Sequence, residues 1–214
     1  MSGILQAVMR DFKSGGLPMP IGTAYGGGFF AGQINVSGTK YNLVVAPKAS
    51  GEISNSWGVS GVTTGITSVI DGPTNSASLA ALGAAYQAAT FCEGLTIGGF
   101  TDWYLPAKNE LEVLYYYLKP STSANNTSSG SNANAVSPEP VSTNYTSGVP
   151  VQTIAGIGFR TGETNAFNGG NYWTSTELNA SNAVTIVMDN GDSTIGYAKG
   201  GMFILARAVR RVLA

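Results

Sequence analysis

The stretch from Gly98 to Leu118, GGFTDWYLPAKNELEVLYYYL, constrains the fold of this chain most. After a glycine turn, the aromatic segment Trp103-Tyr104-Leu105 leads into Pro106, which suits the first position of a helix because its missing N–H has no intrahelical partner there. Apolar residues then recur at i, i+3, i+4 and i+7, at Leu111, Leu114, Tyr115 and Leu118. The pattern predicts a strand-like segment feeding an amphipathic helix over 106–118, with Trp103 as a buried packing anchor.

The chain carries few charged residues for its length. Of its 214 residues 11% are charged, with 11 basic side chains against 12 acidic ones. This even balance gives no electrostatic signal for a nucleic-acid partner. Ser, Thr, Asn and Gly must supply much of the exterior, which is typical of proteins that pack into a larger assembly or display loops outside cells.

The composition also removes most catalytic and metal sites. The chain has no histidine, so the commonest general base and metal ligand is missing and no Ser–His or Cys–His pair can form. The single Cys92 excludes an internal disulfide and a Cys-rich zinc site, and it is interpreted as a buried structural thiol. Oxygens of Asp189, Asn190 and Asp192 suit a hard cation, but an Asn-Gly hairpin turn explains the same residues. The sequence therefore predicts no enzyme, no cofactor and no metal.

Residues 1–20 are predicted to form an N-terminal helix and a linker that precede the main domain. Ile4, Val8 and Phe12 share one face of a short predicted helix over 3–13, and a proline-broken linker follows it. So short a helix is marginal unless it docks, either on its own domain or as an attachment or oligomerisation element. The beginning of the chain lacks the pattern of a signal peptide, and the absence of a long apolar run predicts no membrane insertion.

The remaining residues predict a mixture of strands, helices and loops. A second helix is expected over 75–91, and residues 121–150 form a Ser/Asn-rich loop whose composition is typical of a flexible linker. Long ordered loops in compact domains are also often binding loops, so both interpretations stay open. Strands are predicted over 26–34, 41–46, 172–176, 183–188, 194–199 and 202–212.

The order of these parts resembles the Lcl-type C-terminal domain family, a domain of unknown function with a C-type-lectin-like fold. The resemblance runs from about Gly26 to Val212. Its most specific segments are WYLP and EL in the organising stretch, YWTSTE at 172–177 and RAVR at 207–210. It implies an α+β domain over residues 21–214, in which two helices pack on a small, twisted, mainly antiparallel sheet with long loops.

The resemblance also implies a function, because the family occurs in bacterial surface adhesins and in bacteriophage virion proteins. Without a signal peptide, we expect a virion protein assembled in the host cytoplasm, in contact with other virion proteins and with further copies of itself. The expected role is a receptor-binding or adhesin module of a tail fibre or spike that recognises a host-surface carbohydrate or protein. The alternatives are a head- or tail-decoration protein and, with little support, an enzyme acting on surface glycans.

Lectin-like folds present ligands on irregular loops held by a rigid scaffold. Amide side chains both donate and accept hydrogen bonds, which suits sugar hydroxyls, and carbohydrate sites usually include an aromatic platform. The alternative is that the loops and turns that carry the candidate residues are solvated and bind no ligand. The candidate ligand-binding residues are Tyr145, Asn168, Asn171, Asn179, Asn182 and Tyr197.

Overall fold

The computed structural model describes residues 18–137 and 143–214. Within these two ranges the chain forms four helices and ten strands. The helices are α1 (Lys48–Gly51), α2 (Gly72–Ala81), α3 (Gln87–Glu93) and α4 (Lys108–Leu118). The strands are β1 (Ala24–Tyr25), β2 (Gly28–Val36), β3 (Thr39–Val45), β4 (Glu52–Ser54), β5 (Ala135–Ser137), β6 (Asn171–Glu177), β7 (Asn182–Val187), β8 (Gly196–Ala198), β9 (Leu205–Arg207) and β10 (Val209–Leu213). The helix expected over 3–13 lies outside the described residues.

The strands are arranged in two five-stranded sheets. The first has the order β1-β2-β3-β10, with β5 also paired to β2, and the second has the order β4-β9-β6-β7-β8. All of these pairs are antiparallel except β6 with β9. The prediction of an α+β domain with mainly antiparallel pairing is therefore confirmed, whereas the expectation of two helices on one small sheet is wrong.

The end of the chain belongs to both sheets. A single strand was predicted over 202–212, but the structure has β9 in the second sheet and β10 in the first. The chain changes sheets at Ala208, whose N–H donates to the Gly51 carbonyl at 2.9 Å and whose carbonyl accepts from Ala46 N–H at 3.0 Å. An apolar run alone carries no information about such a switch, so the prediction of one strand is wrong.

The helix predicted over 75–91 is interrupted. Helix α2 ends at Ala81, and α3 begins only at Gln87. Between them Gly83 has a φ of 107°, a left-handed conformation that glycine adopts without the penalty of a side chain. Leu79 of α2 and Tyr86, the N-cap of α3, both lie in one core cluster, whereas Leu82 at the break is 52% exposed.

Helix α4 is held at the centre of the domain. Its predicted stripe, Leu111, Leu114, Tyr115 and Leu118, is at most 1% exposed. Pro106 precedes the helix rather than starting it, because Ala107 is the N-cap. The buried Glu110 carboxylate accepts from Ala107 N–H at 2.7 Å, from the Tyr104 hydroxyl at 2.6 Å and from Arg211 Nε at 2.6 Å. These bonds fix the first turn of the helix to β10.

The described part of the Ser/Asn-rich segment packs on the domain through buried amides. Asn125 Nδ2 donates to the Pro150 carbonyl at 2.9 Å, and Asn132 Nδ2 donates to the Asn109 carbonyl at 2.8 Å. Both side chains are at most 6% exposed. Asparagine therefore supplies backbone-like hydrogen bonds here, and the interpretation of this part as a plain flexible linker is wrong.

Candidate functional site

The residues predicted to bind a ligand do not form one surface. Asn168 and Asn171 lie at the beginning of β6, whereas Asn179 and Asn182 lie beyond its other end. The six residue steps of β6 separate the two pairs by about 20 Å. Tyr197 does lie beside the second pair, because it is opposite Ala183 in the β7–β8 ladder.

Several of these amides already have partners within the fold. Asn179 Oδ1 accepts from the N–H groups of Ser181 and Asn182, both at 2.9 Å, and so closes the β6–β7 turn. Asn168 Oδ1 accepts from Lys48 Nζ at 2.9 Å. Asn171 Oδ1 accepts from the Thr185 hydroxyl at 3.3 Å. These contacts explain the three side chains as turn and strand residues.

Tyr145 cannot be the aromatic platform that the sequence predicted. Its side chain is 6% exposed, and its ring packs on Tyr115 with centroids 5.5 Å apart. Burial, together with the charge of Glu112, raises the pKa of its hydroxyl well above the usual range. The ring is part of the core, and Gly130 permits this because any side chain at that position would meet the Tyr145 ring.

A different part of the surface offers a concave site. We call it the tyrosine groove, a depression of about 510 Å³ lined by Ile21, Tyr116, Tyr117 and residues 149–154. None of these residues is charged. The size lies within the 300–1,000 Å³ typical of ligand sites, which are mostly apolar with a few placed polar groups. The polar lining residues are Gln152, whose Nε2 donates to the Pro120 carbonyl at 2.7 Å, and Thr153, which is 6% exposed, and they lie beside two half-buried aromatic rings.

The tyrosines reach the groove because of their register on α4. Residues advance by about 100° along a helix, so the side chains after Tyr115 turn away from the buried stripe. Tyr116 and Tyr117 pack edge to face, with centroids 5.2 Å apart and an angle of 74° between their planes. Together the two rings form one wall of the groove, on a helix whose first turn is fixed by the hydrogen bonds of Glu110.

A second cavity adjoins the groove and shares residues 150–152 with it. This side pocket has a volume of about 180 Å³ and is lined by Lys119, Thr122, Ser123, Ser147, Gly148 and residues 150–152. Three hydroxyl side chains, the Gln152 amide and the Lys119 ammonium group therefore share its lining with Gly148, Pro150 and Val151. The groove and the side pocket together place an apolar surface next to hydroxyl, amide and ammonium groups.

Lys119 ties together the segments around the side pocket. Its Nζ donates to Asn125 Oδ1 at 2.6 Å and to the carbonyls of Ser123 and Pro150. Burial lowers the pKa of this ammonium group, while the nearby charge of Asp189 acts in the opposite direction. All three acceptors are neutral oxygens. Because they lie on the segments at 123–125 and at Pro150, the Lys119 side chain connects the end of α4 to both loops that border the pocket.

The side-chain oxygens between β7 and β8 that suited a cation already accept hydrogen bonds from the protein. Asp192 Oδ1 accepts from the N–H and the hydroxyl of Thr194 at 2.9 and 2.7 Å, and Asn190 Oδ1 accepts from Asp192 N–H at 3.0 Å. In residues 18–137 and 143–214 no three His, Cys, Asp or Glu side chains come together as a metal site. No helix in that part of the chain has both the length and the apolar character of a membrane crossing.

The chain matches no protein-family model, no curated protein and no solved structure. The resemblance to the Lcl-type C-terminal domain family, with its lectin-like fold, therefore stays a prediction. The identification of the tyrosine groove as a candidate site is therefore based on its geometry alone.

The sequence contained one signal for the groove that the residue-by-residue interpretation missed. In the run Tyr115-Tyr116-Tyr117, only the first ring falls on the apolar stripe of α4. Two large aromatic side chains that lie off the buried stripe of an amphipathic helix are candidates for an exposed contact surface. The contribution of residues 149–154 has no such signal, because a tertiary contact brings that segment to the helix.

Proposed function

We propose that this chain is a non-enzymatic bacteriophage structural protein, the receptor-binding module of a tail fibre or spike, and that it binds a host-surface glycan in the tyrosine groove. The observation that carries the proposal is the pairing of Tyr116 and Tyr117 with the hydroxyl- and amide-lined side pocket. Residues 21–214 form the binding domain, for which we propose a C-type-lectin-like fold. Two sheets with long connecting loops support that fold, as does the order of sequence segments.

The chemistry of the groove suits a sugar. An aromatic ring accepts the apolar face of a pyranose, while hydroxyl and amide groups donate to and accept from its hydroxyls. Gln152 and Thr153 lie in the groove, and Thr122, Ser123 and Ser147 lie in the side pocket. The groove has no charged residue, and the Lys119 ammonium group of the side pocket already donates to three oxygens of the protein, so we propose that the ligand is recognised mainly by shape and hydrogen bonding.

Composition supports a place in the virion. With 11% charged residues, the exterior depends on Ser, Thr, Asn and Gly, as in subunits that pack into larger assemblies. The proposed partners are other virion proteins and further copies of this chain. The resemblance to a family that includes phage virion proteins points the same way.

The test compares two groove variants with two matched variants elsewhere. Tyr116→Ala and Val151→Asp alter the groove, whereas Tyr197→Ala and Val59→Asp make the same changes on exposed residues outside it. Binding of the labelled full chain is measured on a panel of bacterial cells and on their isolated surface oligosaccharides. We expect the groove variants to weaken binding about tenfold, which corresponds to about 1.4 kcal/mol, and the controls to leave it unchanged. Equal binding by all four variants would contradict the proposal.

One observation favours the decoration protein as a second candidate. Apolar side chains are exposed near β8 and in the turn that follows it, including Leu178, Ile195 and Phe203, which is 96% exposed. Exposed apolar surface of this kind marks packing against a neighbouring subunit. For a decoration protein, Phe203→Ser reduces the number of copies per particle, while the groove variants leave adsorption to the host unchanged.

A further inference from the structure

Glu112 carries a buried carboxylate oxygen that has no partner among the described residues. The side chain lies on α4 and is 1% exposed. Its Oε1 accepts from Lys108 Nζ at 2.7 Å and from the Ser193 hydroxyl at 2.9 Å. Its Oε2 is buried as well, but no residue that the structure describes donates a hydrogen bond to it. A buried acceptor without a donor is unfavourable, so Oε2 favours an occupant that donates to it.

The same side chain lines a small cavity, which we call the carboxylate cavity. Its volume is about 10 Å³, which admits one group of the size of a water molecule. Asn132 and Tyr145 also line it, together with Tyr116 and Tyr117. The cavity therefore combines a carboxylate that has an unpartnered oxygen with three aromatic side chains, around a space for a single small group.

The carboxylate cavity is reached from the side of the tyrosine groove. Tyr116 and Tyr117 are half-buried, whereas every other residue that lines the cavity is buried. A group that enters from solvent therefore passes these two side chains. Because both of them also line the groove, a ligand bound in the groove lies next to the cavity.

The surroundings of the cavity favour a positively charged group over a neutral donor. The negative faces of aromatic rings attract cations, and clusters of aromatic side chains bind ammonium groups in this way. The charge of Glu112 also acts on the wall of the cavity, in spite of the ion pair with Lys108. Burial first, and then this charge, raises the pKa of the Tyr145 hydroxyl well above its usual range. The potential that disfavours a phenolate at this place stabilises a cation.

An ammonium group fits the cavity better than a metal ion does. Hard metal cations take about six or more oxygen ligands, which often include water molecules. A cavity for one water-sized group has no room for such waters, and Val113, Gly130 and Ala135 line it without a side-chain oxygen. An ammonium group is about as large as a water molecule and requires only hydrogen-bond acceptors, of which Glu112 Oε2 is one.

We propose that the carboxylate cavity binds a primary ammonium group and that the ligand of the tyrosine groove presents this group. The second half rests on the proposed function of the groove, whereas ammonium binding by itself does not. The class of glycan that suits both sites is an oligosaccharide with free, protonated amino groups. Its sugar ring lies on the wall formed by Tyr116 and Tyr117, and its ammonium group donates to Glu112 Oε2. N-acetylation removes the charge and enlarges the group, so an N-acetylated sugar does not enter the cavity.

Isotopically labelled ammonium chloride, the smallest probe, tests the cavity in the full chain. We expect a bound ammonium resonance whose protons show nuclear Overhauser contacts to the ring of Tyr145. Glu112→Gln preserves the size of the side chain but removes its charge, and it should abolish this resonance. Glu93→Gln is the matched control and should retain it, because Glu93 also has a buried oxygen without a described partner but does not line the cavity.

The unmodified chain provides a measurement that does not depend on the folding of a variant. Methylammonium chloride should displace the bound ion, whereas tetramethylammonium chloride, which has no N–H and is too large, should not. The absence of a bound resonance, equal displacement by the two salts, or an unchanged resonance in Glu112→Gln would overturn ammonium binding.

Chemical N-acetylation of the host-surface oligosaccharides tests the class of ligand. It should weaken binding to the unmodified chain and to Glu93→Gln about tenfold, and it should leave binding to Glu112→Gln unchanged. Equal weakening in all three proteins, or no weakening in the unmodified chain, would overturn the amino-bearing ligand.

The cavity and the groove fail in different ways. A bound ammonium ion, combined with oligosaccharide binding that Val151→Asp leaves unchanged, overturns the proposed function but supports the cavity. Oligosaccharide binding that Val151→Asp weakens and N-acetylation leaves unchanged supports the proposed function but overturns the amino-bearing ligand.

Discussion

The indole of Trp103 is one of the best-packed side chains of the domain. It is 1% exposed and belongs to a core cluster with Trp57 and Trp173, and its Nε1–H donates to the Phe100 carbonyl at 3.1 Å. Trp103→Ala should lower the free energy of unfolding by roughly 3–5 kcal/mol, because truncation leaves a large cavity. Urea denaturation measures the change. Tyr197→Ala, at a 38% exposed position, is the control and should have little effect; equal effects would contradict the anchor role.

A buried ion pair fixes the loop before α2 to the second sheet. Glu177 and Lys199 are paired inside the protein, and the same carboxylate accepts from Thr64 and Gly65 N–H groups, both at 2.8 Å. Burial alone would raise the pKa of Glu177. The hydrogen bonds from Lys199, Thr64 and Gly65, with the charge of Lys199, outweigh burial and hold the pKa below its usual range.

This lowered pKa predicts a stability loss in acid. A carboxylate with a depressed folded-state pKa contributes stability above its unfolded pKa, about 4.3, and loses it as the pH falls through the folded value. Thermal unfolding of the unmodified chain and of Glu177→Gln, measured between pH 7 and pH 2, gives the comparison. We expect a difference in Tm at pH 7 that narrows below about pH 4. A difference that stays constant with pH would show that the charge of Glu177 contributes nothing.

The burial of a single side chain could be predicted only where the hydrophobic pattern of its own sequence segment determines it. Trp103 was expected to be buried and is 1% exposed, because it adjoins the apolar stripe of α4 in sequence. Tyr145 lies in a polar, low-complexity segment, and its burial depends on Gly130, fifteen positions away. No local pattern contains that contact.

The loop between α4 and β6 depends on glycine at one close approach. Gly130 has a φ of 101°, and a Cβ there would lie 2.3 Å from the Tyr145 ring. Gly61 has a φ of 86° with open space around it, so Gly61→Ala carries the backbone strain without the clash. We expect Gly130→Ala to be more destabilising by about 1–3 kcal/mol, the usual effect of overpacking. Urea denaturation of both variants tests this, and equal effects would contradict the packing of this loop.

Regular elements could be predicted where hydrophobic period and turn chemistry agree. The stripe of α4 and the Asn-Gly hairpin that joins β7 to β8 follow from sequence in this way. The break between α2 and α3 and the change of sheet at Ala208 could not be predicted. Both depend on which surfaces the flanking residues meet after the chain has folded.

We expect the two core clusters to unfold as one cooperative unit. All three tryptophans, Trp57, Trp103 and Trp173, lie in one cluster, whereas the other contains tyrosines and phenylalanines such as Tyr115 and Phe159. Strands β9 and β10 connect the sheets through Ala208. We therefore expect tryptophan fluorescence and far-UV circular dichroism to report the same denaturant midpoint. Two separate midpoints would show that the clusters unfold independently.

The most direct test of a glycan-binding tyrosine groove is to map the contact. Amide resonances of the isotopically labelled full chain are followed by nuclear magnetic resonance during titration with surface oligosaccharides to which the protein binds. The account predicts chemical-shift changes at residues 116–117 and 149–154, with residues 178–182 and 196–198 unaffected. Changes confined to residues 178–182 and 196–198 would contradict it.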